Sequence, residues 1–244
     1  MQEVFGYTEE SAVRIAENER CRAMKQSKQM SETIRLGVIL AISGGFMDAY
    51  SYIGRGGVFA NAQTGNMLLF GVNISMGNWE KAVQYFFPVF AFAMGIAAAE
   101  IVRLAAPGWL HWRQVAVLAE ALILVGVAFF PQSMNLPANA ITSFACGIQV
   151  ESFRKVRGNG VATTMCIGNL RSGTQHLCSF FHEKRREDLE HAALYYGLIA
   201  SFVVGAVLGN FVIQRLHEKA IFCCSALLLL AFGMMFVDYE REKL

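Results

Sequence analysis

The chain has 244 residues, of which 55% are hydrophobic and only 16% are charged, and its formal net charge is +2. Soluble domains carry nearer a quarter of charged residues, so this composition excludes an ordinary soluble domain and predicts an integral membrane protein. A net charge so close to zero also excludes a bulk electrostatic attraction to nucleic acids or to acidic substrates.

The chain begins with a polar stretch, and its first 35 residues contain six Lys or Arg and six Glu. Because no charged start leads into an apolar run with a cleavage site, we expect an exposed helical head and not a signal peptide. The predicted organisation is a cytoplasmic head over residues 1–33, one membrane domain over 34–237 and a cytoplasmic tail over 238–244. The membrane domain divides into repeat one, 34–131, and repeat two, 135–237.

A membrane-spanning helix needs ~20 mostly apolar residues. Six segments fit: residues 34–53, 83–105, 113–131, 135–153, 192–214 and 219–237. Two further segments, 58–76 and 161–181, both begin with polar residues. The second contains Thr163, Thr164, Asn169, Arg171, Gln175 and His176, and such a segment cannot face lipid.

The two halves of the membrane domain resemble each other, as a comparison of residues 44–71 with 147–174 shows. A constant shift of 103 residues pairs Gly44 with Gly147, Asp48 with Glu151, and Gly65-Asn66 with Gly168-Asn169. Farther along, a shift of 110 pairs Phe92, Gly95 and Ala99 with Phe202, Gly205 and Gly209. The sequence therefore predicts two copies of one unit, whose small-residue spacing favours close helix packing.

The positive-inside rule distinguishes two topologies. If both ambiguous segments dip into the membrane and return, seventeen Lys and Arg lie on the side of the head and four on the other. If both segments span, the division is twelve to eight and Arg171 is left in the bilayer. We therefore predict an all-α protein with six transmembrane helices, two re-entrant hairpins and two inverted repeats, the alternative being eight spanning segments with parallel repeats. In each hairpin a polar turn precedes a short helix, Met67 to Ser75 in the first.

The hairpin turns carry the predicted substrate-binding residues, which are Asn61, Gln63, Thr64, Gly65, Asn66, Thr163, Thr164, Gly168, Asn169 and Arg171. Asn66 and Asn169 either offer an amide to a solute or hold the turn together. The N-termini of the two short helices would point positive dipole ends at the membrane centre. Arg171 needs a polar partner, which is either an anionic solute or Glu151.

Three carboxylates lie within apolar segments and are predicted proton- or ion-coupling groups: Asp48, Glu151 and Glu120. Asp48 has an equally weighted alternative as an acceptor that caps the hairpin turn. For Glu151 an ion pair with Arg154 or Arg171 is favoured. Glu120 lies in the middle of a predicted span and is as well explained by a helix contact.

Two stretches, GGFMDAYSYIGRGGVFANAQTGNMLL and CGIQVESFRKVRGNGVATTMCIGNLRS, resemble the YoaK-like family of bacterial membrane proteins, a domain of unknown function. The matching positions are Gly45, Asp48, Phe59, Thr64, Gly65 and Asn66, then Gly147, Gln149, Arg154, Thr163, Thr164, Gly168, Asn169 and Leu170. The second Thr-Gly-Asn motif of the family is Ile167-Gly168-Asn169 here. The resemblance covers about 34–237 and implies a polytopic bacterial membrane protein without an established activity.

These observations favour a transporter or channel for a small polar solute, with anions mildly favoured and the site between the hairpin tips. The alternative is a non-transporting membrane scaffold or sensor. We expect no enzymatic activity, no cofactor and no metal, because no catalytic, dinucleotide or metal-ligand motif is recognisable. The expected partners are the lipid bilayer, the solute and further copies of the chain, but not nucleic acid, and the expected location is the bacterial cytoplasmic membrane with head and tail cytoplasmic.

Overall fold

The computed structural model describes residues 33–105, 112–156 and 159–241, with side chains described as far as Met235. Within these ranges the α-helices are α1 (Ile34–Gly54), α2 (Gln63–Ser75), α3 (Trp79–Ala105), α4 (Trp112–Val127), α5 (Asn135–Ser152), α6 (Cys166–Glu183), α7 (Arg186–Leu216) and α8 (Ile221–Arg241). Two short 3-10 helices, Gln132–Met134 and His217–Ala220, precede α5 and α8. The structure is therefore that of a helical membrane protein, as predicted. The predicted head, apart from Thr33, lies outside the described residues, as do 242–244 of the tail.

The connection between α5 and α6 contains a small antiparallel ribbon that the sequence analysis did not predict. Strand β1 (Lys155–Val156) pairs with strand β2 (Asn159–Gly160). Val156 and Val161 are buried against α1 and α7, so the ribbon closes one end of the helical core.

The helix boundaries follow local signals in the sequence. The Thr33 side chain accepts a hydrogen bond from the Leu36 backbone N–H at 3.3 Å and caps the start of α1. Helix α7 has acidic residues in its first turn and Arg215 in its last turn, which complements the helix dipole. Helix α2 begins at Gln63, four residues before the predicted start at Met67, and α4 ends at Val127, four residues before the predicted end of its span.

By length and composition, three segments of the described chain could cross a membrane: Ile34–Gly54, Trp79–Ala105 and Arg186–Met235. The last segment contains both α7 and α8. Helix α4 has only 16 residues, and α5 is rich in amide and hydroxyl side chains. The number of six spans therefore stays a prediction.

Each helix in the first half of the chain has a counterpart in the second half, and counterpart helices make equivalent contacts. Helix α1 packs on α7 and α5 packs on α3; α2 lies on α3 and α6 lies on α7; α4 packs on α8. At the α1–α7 crossing a Cβ atom at Gly45 would collide with the Phe202 carbonyl oxygen. At the α5–α3 crossing a Cβ atom at Gly147 would collide with the Phe92 carbonyl oxygen.

This close packing changes the register of the internal alignment by one residue in α1 and α5. The partner of Gly147 is Gly45 and not Gly44, because Gly45 and Gly147 make the matching contacts to Phe202 and Phe92. Asp48 and Glu151 therefore do not occupy equivalent places in the structure. The shift of 103 residues holds in the hairpins that follow these helices.

The contacts of the helix ends define two ends of the molecule. At the first end, where α1 finishes, the Gln84 side chain of α3 donates to the Gly56 carbonyl at 3.3 Å, and the Tyr50 hydroxyl donates to the Glu218 carbonyl at 3.1 Å. The end of α1, the start of α3 and the turn between α7 and α8 therefore lie together.

Arg55 joins the α4–α5 connection to this first end. Its guanidinium donates to Tyr50 Oη at 2.9 Å, to the carbonyls of Phe130 and Pro131 at 2.8 and 3.1 Å, and to Asn135 Oδ1 at 3.2 Å. The side chain is fully buried. The residue is therefore a structural clamp at this end.

At the second end the start of α1 meets the β-ribbon and the start of α7. The Tyr195 hydroxyl of α7 donates to the Gly160 carbonyl at 3.2 Å, and the place of an added Cβ atom at Gly37 would be 3.1 Å from Val156. Helix α6 ends here as well, since His176 Nδ1 lies 2.9 Å from the Asp188 carboxylate of α7.

Helices α2 and α6 each begin in the interior. The side chain of Gln63, at the start of α2, donates to Ser143 Oγ in the middle of α5 at 3.3 Å. Thr164, just before α6, packs against Gly44 in the middle of α1. From these interior points α2 runs back to the first end and α6 runs to the second end.

Candidate functional site

The first hairpin tip is held by a carboxylate from α1. Asp48 Oδ1 accepts the backbone N–H of Asn61 at 2.6 Å, and the N–H groups of Ala60 and Ala62 also interact with this carboxylate. The Asn61 side chain in turn donates to the Gly44 carbonyl at 3.1 Å. Asp48 thus supplies a hydrogen-bond acceptor to a turn that lies deep in the protein. This is the capping role that the sequence analysis gave as one of two alternatives.

Asn66 and Asn169 hold the two hairpins in the same way. The Asn66 amide accepts from the Phe59 N–H at 3.0 Å and donates to the Phe59 carbonyl at 2.7 Å. The Asn169 amide makes the same pair of bonds to Ala162, at 3.3 and 2.7 Å. Asn66 also donates to Gln63 Oε1 at 2.8 Å. Both amides are buried, so their observed contacts are those that hold the turns.

A cavity of about 760 Å³ lies between the two hairpin tips. Its polar lining comes from Asp48, Asn61, Gln63, Thr64 and Thr164, and Gly168 completes it on the side of α6. Its remaining wall is apolar and includes Tyr52, Phe59, Met165, Ile167 and the pair Phe92 and Phe202. No Lys, Arg or His is found among the described residues that line it.

Several predicted site residues do not line this cavity. Asn66 and Asn169 are turned into the hairpins, and Gly65 packs under the Phe59 ring, where a Cβ atom would lie 2.8 Å from that ring. Thr163 is buried, and its hydroxyl has no hydrogen-bond partner within the described part of the chain.

Arg171 and Glu151 do not line the cavity. Arg171 is exposed on α6 and is not among the residues that line the cavity. Glu151 Oε1 lies 3.3 Å from Arg154 Nη2, which is the pairing predicted on the basis of their proximity. This pair is explained by their separation of one helical turn, which brings the two side chains onto one face of α5 and its end.

Glu120 is fully buried in α4, and within the described structure neither carboxylate oxygen has a hydrogen-bond partner. The thiols of Cys146 and Cys224 lie within electrostatic reach of it, and Cys146 is similarly close to Asp48. Burying an ionised carboxylate without partners is very costly, so this environment strongly disfavours a charge on Glu120. It is therefore a buried acid that is not among the residues lining the cavity.

The aromatic wall of the cavity was missed in the sequence. Phe92 and Phe202 were recognised only as matching positions of the repeat, and Tyr52 stacks on Phe59 with ring centroids 4.7 Å apart. A signal was present, because Phe92 and Phe202 recur at one shift next to glycines that bring their backbones close. Single aromatic residues are frequent in apolar helices, however, and only packing selects those that face a cavity.

The described residues contain no group of three or more His, Cys, Asp or Glu side chains that could hold a metal ion. The side chains at the cavity are amides, hydroxyls, one carboxylate and a half-buried thiol, Cys166. This set can donate and accept hydrogen bonds around a bound molecule.

Comparison with known proteins gives one family. The family model described as "Protein of unknown function (DUF1275)" matches residues 36–234. UPF0700 transmembrane protein YoaK of Bacillus subtilis (strain 168) is 25% identical to the chain over 181 residues, which cover 70% of this chain and 79% of that protein. No solved structure matches the chain.

Proposed function

Since the chain belongs to the DUF1275 family of proteins of unknown function, of which transmembrane protein YoaK is a relative, we propose that it is a membrane transporter or channel for a small solute. The observation that carries the proposal is the cavity of about 760 Å³ that touches both hairpin tips. Cavities of a few hundred Å³ with a few converging polar groups are typical of small-molecule sites.

The proposed membrane topology has six crossings and two re-entrant hairpins, related as inverted repeats. Support comes from Gly56 and Gln84, which meet at the first end although α2 lies between them in the chain. Arg55 and Pro131 also meet there. If α2 and α6 both spanned, these pairs would lie on opposite sides of the membrane. Irregular backbone at membrane depth, as at the two tips, is tolerated where it borders a cavity.

In this proposal Asp48 and Glu120 each bind and release a proton during transport. Asp48 borders the cavity and binds the first tip, so a change in its charge would alter how firmly that tip is held. Glu120, which is fully buried in α4, stores a second proton. Glu151, being paired with Arg154, contributes to the stability of the second end. The protein would lie in the bacterial cytoplasmic membrane with both termini in the cytoplasm.

Cys166 provides a direct test, because it lines the cavity and is half-buried. A chain that keeps only this cysteine is treated in sealed, oriented vesicles with a small charged methanethiosulfonate reagent, applied to one face at a time. Transport by alternating access predicts reaction from either face. The variant Ala93→Trp, which fills the cavity wall, should block the reaction, whereas Ala97→Trp, exposed on the same helix outside the cavity, should not.

The alternative of a scaffold or sensor gives different results in the same experiment. Reaction of Cys166 from one face alone would indicate a receptor pocket without a path across the membrane. No reaction from either face would show that the hairpin tips are sealed by packing, and the transport proposal would then be wrong.

A further inference from the structure

The two hairpins differ in how the N–H groups at their tips are satisfied. In the first, the Asn61 N–H bonds to the Asp48 carboxylate, which also interacts with the N–H groups of Ala60 and Ala62. In the second, no carboxylate is found to bond to the corresponding residues 163–165 within the described structure, and α6 begins at Cys166, as α2 begins at Gln63, without a side-chain cap or an acidic residue in its first turn. The first N–H groups of a helix have no partner within that helix, so those of Cys166, Ile167 and Gly168 are directed at the cavity border without a carboxylate.

The carboxylate that could have matched Asp48 points elsewhere. The ungapped sequence alignment pairs Glu151 with Asp48, but the Glu151 side chain contacts Arg154 at the second end. The one-residue change in register between α1 and α5 places Val150, and not Glu151, opposite Asp48 in the repeat. The second hairpin therefore keeps the geometry of the first and lacks its anion.

A second observation at the same place is independent of the helix end. Thr164 is 2% exposed and lines the cavity, and its hydroxyl has no hydrogen-bond partner within the described structure. Buried hydroxyls are normally hydrogen-bonded, so an unpartnered one beside free N–H groups indicates that a ligand acceptor completes the site. Gly44 of α1 leaves the space that the Thr164 side chain occupies.

The rest of the cavity lining indicates the chemistry of the part of the ligand that does not bind to the second hairpin tip. Tyr52, Phe59, Phe92 and Phe202 give it an aromatic wall, and apolar surface of this kind favours an apolar group. Since no basic side chain lines the cavity within the described residues, the positive potential at the second tip comes from the end of α6.

We propose that the cavity binds a monocarboxylate with an apolar body, and that its carboxylate accepts hydrogen bonds from the first turn of α6 and from Thr164. The ligand carboxylate would then place an anion at the second hairpin tip, where Asp48 places one at the first. This inference rests on the proposed function, because it takes the cavity to be the solute site, and it defines the class of solute.

The test uses the full chain in lipid nanodiscs and isothermal titration calorimetry with 3-phenylpropionate and its uncharged analogue 3-phenylpropionamide. We expect the acid to bind at least about tenfold more tightly than the amide, since only the acid brings a charge to the helix end. Equal binding of the two compounds, or no binding of the acid, would overturn the inference.

Gly168 provides a matched pair of variants in the first turn of α6. A Cβ atom there meets nothing within 4 Å, so a side chain fits. Gly168→Asp places a carboxylate where the ligand carboxylate would lie and should weaken binding of the acid by about tenfold or more. Gly168→Asn has nearly the same size without the charge, so it should weaken binding of the acid several-fold less than Gly168→Asp does. Equal effects of Asp and Asn would contradict the inference.

Cys166→Pro removes one of the N–H groups without interrupting the helix. Proline is favoured at the first helical position, and Met165 already has the extended conformation (φ −121°, ψ 98°) that a residue before proline requires. Binding of the acid should fall several-fold and binding of the amide should change less. An unchanged affinity for the acid would count against the assigned N–H groups.

The failure of this inference can be told apart from the failure of the proposed function. If Ala93→Trp abolishes binding of acid and amide alike while the Gly168 variants do not differ, the cavity remains the solute site and the carboxylate specificity is wrong. If neither compound binds but Cys166 reacts from both faces, transport stands and the solute class is wrong. If Cys166 reacts from neither face, the proposed function itself falls.

Discussion

At the scale of single residues, buried polar side chains hold the irregular parts of the backbone in place. Asp48, Asn66 and Asn169 bond to the hairpin turns, and Arg55 bonds to the connection between α4 and α5. Backbone groups that are removed from water need such partners, because leaving one of them unsatisfied costs about 1–3 kcal/mol. Their residue types could be recognised in the sequence as unusual for lipid-facing segments, but their partners could not.

Replacing Arg55 with Met should destabilise the protein by about 3 kcal/mol or more, because several buried carbonyls lose their donor together. Arg55→Lys should be only partly better, since one ammonium group cannot reach the acceptors that the planar guanidinium bridges. The apparent Tm in detergent measures the change. Arg215→Lys, an exposed arginine at the same end, is the control and should have no effect; an Arg55→Met variant as stable as this control would refute the clamp.

Asn66→Ala should lower the apparent Tm more than Asn169→Ala, because Asn66 makes three hydrogen bonds with distances of 3.0, 2.7 and 2.8 Å and Asn169 makes two. The expected losses are about 1–3 kcal/mol each. If the amides served only to bind solute, both variants would keep the stability of the parent and lose only ligand affinity. The same unfolding measurement, made without ligand, separates the two roles.

At the scale of helices, close approach between backbones sets the arrangement. Gly45 and Gly147 lie where α1 meets α7 and where α5 meets α3. The spacing of small residues in the third helix of each unit indicated such packing, but the ungapped alignment placed Gly44 opposite Gly147. A one-residue shift changes the quality of such a short sequence alignment little, whereas in a packed interface it brings a different side chain into the contact.

Gly45→Ala should destabilise the protein by about 1–3 kcal/mol or more, because the added methyl group collides with the backbone of α7. Gly71→Ala is the matched control, since this glycine also lies in a helix and a Cβ atom there meets nothing within 4 Å. That variant should be neutral or stabilise by about 0.5–1 kcal/mol. Comparable losses in both variants would mean that the α1–α7 crossing is not tightly packed.

At the scale of the whole molecule, the proposed topology rests on contacts between connections that are far apart in the chain but meet at the same end of the molecule. It predicts that Ser75 and Arg215, both exposed near the first end, face the same side of the membrane, and that Glu187 faces the other. Eight spanning segments would put Ser75 with Glu187 and opposite Arg215. The buried Arg55 is unsuited to such labelling.

Single cysteines at Ser75, Arg215 and Glu187 in a chain without native cysteines, labelled in intact cells with an impermeant maleimide, measure this arrangement. Labelling of Ser75→Cys and Arg215→Cys without Glu187→Cys is the expected result. Labelling of Arg215→Cys alone would favour eight spans and parallel repeats. In that event the cavity could not lie between two re-entrant tips, and the transport proposal would lose its basis.

The sequence by itself determined that this is a helical membrane protein of the DUF1275 family, and it identified the polar turns around Asn66 and Asn169. Composition, apolar segment length and motif order carry that information locally, because each depends only on neighbouring residues. Only the tertiary structure decided that Asn66 and Asn169 hold the turns, that Arg55 and Glu120 are buried, and that aromatic side chains from three helices and a hairpin border one cavity. These features depend on contacts between residues far apart in the chain, which no local pattern specifies.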